Sequence, residues 1–128
     1  MGYFYTGFDY KNRKQGYFKI GETGQKSLAS RLATIRQHDS FQCLGYIALE
    51  GETKAERLLI ESHVRVMLSR TDGLEHTQND HFLYGIESKD RKYEQAYEIA
   101  EIALRYAEDI CKLYGIKYSR GTKQYKRG

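Results

Sequence analysis

The stretch that decides the fold is GYFYTGFDYKNRKQGYFKIGET, from Gly2 to Thr23. It holds two aromatic runs, Tyr3-Phe4-Tyr5 and Tyr17-Phe18, on either side of a polar, basic connection. Residues 2–8 and 16–21 are rich in Tyr, Phe and Ile, the composition of two paired strands. The connection is too long for a two-residue turn, so a mobile hairpin loop is expected. Side chains alternate along a strand. Tyr3 and Tyr5 therefore share a face, and so do Tyr17 and Lys19. A hydrophobic core needs rings but not phenols, which makes this hairpin the first place to look for chemistry.

Outward from the hairpin, KSLASRLATIRQH (Lys26 to His38) reads as a helix. Leu28, Leu32 and Ile35 recur at helical spacing and Ser27 is its candidate N-cap. FQCLGYIALE (Phe41 to Glu50) reads as a third strand. In TKAERLLIESHVRVMLSR, Thr53 and Glu56 have capping-box spacing, and Leu59, Ile60, Val64 and Met67 form the apolar side of a second helix. SRTDGLEHTQND reads as a loop and HFLYGI as a short strand. A long last helix starts at Ser88, carries Tyr93, Ala96, Tyr97, Ala100, Leu104 and Ala107 on one side, and stops at Gly115. This order specifies an α+β domain: a small antiparallel three-stranded sheet flanked by helices, with an extra C-terminal helix and a basic tail. One domain is expected over residues 2–114. Its motif-bearing core spans 2–86, its C-terminal helix 88–114, and a basic, flexible tail 115–128.

The chain of 128 residues is 30% charged and 40% hydrophobic, as a soluble globular domain is. No apolar run approaches the ~18 residues of a membrane span, and no secretory leader pattern opens the sequence. Cys43 and Cys111 lie far apart with no CxxC spacing. They read as reduced residues of a cytoplasmic protein. The net charge is +4, from 21 Lys and Arg against 17 Asp and Glu. Five of the basic residues, Lys117, Arg120, Lys123, Lys126 and Arg127, stand in the last twelve positions with no acid among them. Without them the count is 16 against 17, so the body is about neutral. With Tyr118 and Tyr125 interleaved, the tail has the make-up of a nucleic-acid contact, and equally of a solvated terminus.

Three features form a constellation. The hairpin carries Tyr3, Tyr5, Tyr17 and Lys19, the first helix carries Arg31, and the second carries Glu61 within an apolar run. Pattern alone fits Glu61 equally well to an ordinary helix flank. Together the residues resemble the GIY-YIG nuclease superfamily, in its phage-type branch with T5orf172- and MUG113-like domains. Gly2-Tyr3-Phe4-Tyr5 matches the first motif and Lys19-Ile20-Gly21 the second, in its KIG form. Ser30-Arg31-Leu32 matches the first-helix arginine, LLIESHVRVML places Glu61 at the metal-binding acid, and Asn79 to Phe82 lies where an acid-aromatic-Phe triplet is usual. The resemblance covers about residues 2–86.

The resemblance implies a metal-dependent DNA endonuclease or nickase that hydrolyses phosphodiester bonds. In it Glu61 is the ligand of one Mg²⁺ or Mn²⁺, a role suited to an ion that keeps most of its waters. Arg31 grips the scissile phosphate with planar, permanently charged donors. Tyr5 handles the attacking water, with Lys19 as the cation that favours its phenolate. Spacing does not separate Tyr3 from Tyr5. The resemblance favours Tyr5, with Tyr3 or Tyr17 assisting. The implied partner is double-stranded DNA, with a homodimer or another protein supplying specificity, and no membrane. Two departures favour an alternative, a binding module on the same fold without turnover. Ile35 stands where relatives often carry His or Tyr, and the late Asn79 to Phe82 segment matches the usual triplet poorly. His63, His76 and His81 lack the spacing of a ββα-metal or zinc site.

Overall fold

The computed structural model describes residues 2–9, 16–24, 28–31, 41–50, 54–78, 81–85 and 91–122. Strands β1 (Gly2–Asp9) and β2 (Gly16–Thr23) form the expected hairpin, each longer than the aromatic runs alone indicated. Of the first helix, α1, residues 28–31 are described. Then come β3 (Phe41–Leu49), α2 (Lys54–Ser69), β4 (Leu74–Gln78), β5 (His81–Tyr84), α3 (Lys92–Tyr114) and β6 (Tyr118–Thr122). The hairpin loop, Ser27, Ile35, His38, Thr53, Asn79, Asp80 and Lys123 to Gly128 lie outside the described residues.

The sheet is six-stranded and antiparallel, in the order β4-β5-β2-β1-β3-β6, which corrects the expected three strands. Two of the additional strands come from segments whose composition concealed them. LEHTQ lies within the expected loop and YSRGT within the expected flexible tail. Both are short edge strands, where polar residues are tolerated because one side faces water. β6 is held by its neighbours. Tyr118 donates its hydroxyl hydrogen to Glu108 at 2.9 Å, and the Arg120 guanidinium bonds Glu108 at 2.8 Å and also Glu101, both acids on α3.

Alternation along the strands sorts the sheet residues into two layers. Phe4, Phe8, Phe18, Ile20 and Phe82 point to one face and are fully buried there. They meet Ile60, Val64 and Leu68 of α2 and the alanine-rich stripe of α3, Ala96, Ala100, Ala103 and Ala107. The small α3 residues let that helix lie close to the sheet, and Gly45 of β3 leaves space for Leu104. Each large side chain buried in this way contributes roughly 1.5–3 kcal/mol. On the other face Tyr5, Phe41 and Cys43 form a smaller cluster with Leu28 of α1. A β-bulge beside Thr6 and Gly7 leaves Leu44 without a partner on β1. It shifts the alternation of β3 so that Phe41 and Cys43 face the small layer while Leu44, Ile47 and Leu49 face the large one.

α3 ends as the sequence indicated. Gly115 adopts φ 67°, a left-handed conformation that favours glycine, and the Ile116 N–H bonds the Cys111 carbonyl at 2.8 Å. Both cysteines are buried thiols outside any disulfide. Burial, aided by the charges of Glu108 and Glu56, pushes the Cys111 thiol up to about 11, so it stays protonated at neutral pH. No helix among the described residues is long and apolar enough to cross a membrane.

Candidate functional site

Register positions the hairpin residues. Tyr5 lies directly opposite Gly21, and Lys19 opposite Gly7. A Cβ at Gly21 would collide with the Tyr5 ring, so that ring lies across the glycine that closes the Lys-Ile-Gly triplet. The two sequence motifs thus meet as one cross-strand unit. Tyr5 is 1% exposed and packs with Leu28 and edge-on against Phe41, with ring centroids 5.9 Å apart. Tyr3, two residues away on the same face, is half-buried and makes an edge contact with Tyr46 at 6.1 Å.

Tyr17 and Lys19 are both half-buried and share this face with Tyr5. β5 adds a residue that the sequence pattern did not select. Its pairing places His81 opposite Lys19, and the imidazole stacks on the Tyr17 ring at 5.0 Å and 30°. The sequence offered His81 only as a metal ligand with unsuitable spacing. The β2–β5 register, which brings it to Tyr17, joins segments more than sixty residues apart and has no local signature.

Arg31 stands three residues after Leu28 on α1, so the two share a side of the helix. Leu28 packs with Tyr5, which turns that side towards the same sheet face. The Arg31 Nε is buried and has no hydrogen-bond partner among the described residues. A buried guanidinium nitrogen left unsatisfied is costly, and an anion is the partner it suits.

Glu61 rises from the other layer. α2 packs its Ile60-Val64-Leu68 stripe against the Phe4 and Ile20 face, opposite to Tyr5. The Glu61 side chain is 18% exposed, on the flank of that stripe, with the Arg65 guanidinium 3.6 Å from its carboxylate. Arg57, one turn earlier, bonds Glu22 of β2 at 2.8 Å and ties this helix to the end of the hairpin. The expected site therefore divides: Tyr3, Tyr5, Tyr17, Lys19 and Arg31 gather on one face, while Glu61 belongs to the helix layered on the other. A hydrated Mg²⁺ needs one or two carboxylates from a protein. Among the described residues no group of three or more His, Cys, Asp or Glu could hold a metal ion. A metal here would rest on Glu61 and water, a single-carboxylate demand that the half-buried side chain fits, and Arg65 competes for the same oxygens.

Of the expected nucleic-acid contacts, Lys117 is exposed just beyond α3, and Arg120 is engaged by Glu101 and Glu108. Lys123, Lys126 and Arg127 lie outside the described residues.

No family model, curated protein or solved structure matches the chain.

Proposed function

We propose that this chain is a metal-dependent DNA endonuclease or nickase of the GIY-YIG kind, acting at the face that carries Tyr5, Lys19 and Arg31. The observation that supports it best is the buried Arg31 Nε, without a hydrogen-bond partner among the described residues, on the helix side that packs with Tyr5. A phosphate oxygen arriving there accepts the Nε–H in a charge-assisted hydrogen bond, the acceptor that no described residue provides. Lys19 brings a second cation to the same face, which adds charge stabilisation for the phosphoryl oxygens. Tyr5 orients the attacking water, with Tyr3 or Tyr17 assisting. Glu61 would hold Mg²⁺ or Mn²⁺, which would supply Lewis-acid charge, but it stands on the helix layered against the other face, so the geometry supports this part of the reading least. Lys117 contributes sequence-independent affinity, and specificity comes from a second copy or another protein.

A second reading, a nucleic-acid-binding or protein-binding module without turnover, is favoured by two observations. Tyr5 is enclosed, and Arg65 already neutralises the Glu61 carboxylate.

Cleavage of supercoiled plasmid with Mg²⁺ and with Mn²⁺ separates the two. Wild type is expected to give nicked or linear product. Glu61→Ala and Arg31→Ala, shown to be folded by circular dichroism, are expected to lose roughly 10²-fold or more in rate. DNA binding without cleavage moves the conclusion to the second reading. Equal cleavage by wild type and Glu61→Ala removes Glu61 from the site.

A further inference from the structure

Tyr17 and His81 form an aromatic pair on the sheet face that carries Lys19. The rings are stacked at 5.0 Å and 30°, and both side chains are partly exposed. Lys19 is the direct cross-strand neighbour of His81 and stands two residues from Tyr17, on the same face. Beyond Lys19 in the same row is Gly7, over which the Phe41 ring lies. The face thus offers ring surface and an ammonium within one strand spacing of each other.

We propose that the Tyr17–His81 pair is a stacking step for an unpaired nucleobase whose phosphate is held by Lys19. The face therefore takes nucleic acid with a single-stranded or splayed stretch in preference to continuous duplex. This rests on the nucleic-acid reading above and narrows its substrate class. Every base has a π-face, so stacking on protein rings tolerates sequence. Bases within a duplex have both faces covered by their neighbours. Only an end, a flap, a gap or a flipped base can extend the Tyr17–His81 stack. Two cationic side chains, Lys19 and Arg31, belong to this sheet face, which matches the charge of such a strand.

Fluorescence anisotropy in EDTA tests binding apart from turnover. Three labelled probes of equal length are compared: a single-stranded 12-mer, the same strand with abasic sites at its centre, and a blunt duplex. The intact single strand is expected to bind tightest. Tyr17→Leu should weaken it roughly 5- to 150-fold, the loss of one stacked base, while leaving the abasic strand unchanged. Tyr17→Phe, which keeps the ring, should bind as wild type does. Lys19→Ala should weaken all three probes and flatten the salt dependence. Equal affinity for intact and abasic strands, with Tyr17→Leu indistinguishable from wild type, overturns the stacking step but leaves nucleic-acid binding standing. Failure to bind any probe overturns both.

Discussion

Gly21 and Tyr5 act as a single residue-scale unit. The glycine leaves the space that the phenol ring fills, and the ring covers backbone that a glycine alone would leave bare. The same device recurs where Tyr84 lies over Gly16 and Tyr46 over Gly121, each a directly opposed cross-strand pair. Gly21→Ala is expected to cost about 1–3 kcal/mol, because the Tyr5 ring is enclosed and has nowhere to move. Urea unfolding measures it. In a Tyr5→Leu background the same substitution should cost less, with a coupling of at least ~0.5 kcal/mol. Additive losses would show that the ring does not depend on the glycine. Lys-Ile-Gly was legible in the sequence as a motif. That its glycine seats the tyrosine of the other motif was not, because only register opposes residues 5 and 21.

At the scale of elements, β6 shows how a strand can arise where composition predicts none. YSRGT has strand formers only at its two ends, Tyr118 and Thr122, and its position comes from the Glu101 and Glu108 carboxylates of α3. The hydrogen bond and charge of Arg120 hold the Glu101 carboxyl below its ordinary range. The clamp's contribution is therefore fully present above the ordinary glutamate value of ~4.3, and is lost as pH falls through the lowered one. Arg120→Met keeps the aliphatic stem and removes the charge. It should cost about 0.5–1 kcal/mol at pH 7, given the exposure of the network, and the gap from wild type should close towards pH 3. Urea midpoints at the two pH values check this. A gap that persists in acid would assign the clamp to packing alone. The long helices were legible from their periodicity and from the stop at Gly115. β4 and β6 were not, because an edge strand needs only one satisfied side and no hydrophobic run.

Across the whole molecule, one large core joins the sheet to α2 and α3, and a smaller cluster holds α1 on the reverse. A shared core should unfold as one unit. Phe18→Ala is expected to cost about 3–5 kcal/mol and to keep a single transition, coincident by circular dichroism and by tyrosine fluorescence. Two separated transitions would mean that the β6 and α3 side folds apart from the hairpin. The arrangement of layers also bears on the proposed site. Tyr5, Lys19 and Arg31 belong to the small-cluster face and Glu61 to a helix on the large one. Strand alternation and helical spacing could group the hairpin residues by face. They could not say on which side α2 would pack.

The sequence by itself determined the α+β class, the hairpin, the alternation that gives it two unlike faces, and the helices, because these depend on periodicity and local propensity within a few residues. Only the tertiary structure decided the number of strands, the union of His81 with Tyr17, the seat of Tyr5 on Gly21 and the layer to which Glu61 belongs. Each of these is set by pairing between distant segments, where burial and register select one partner among many that local sequence permits.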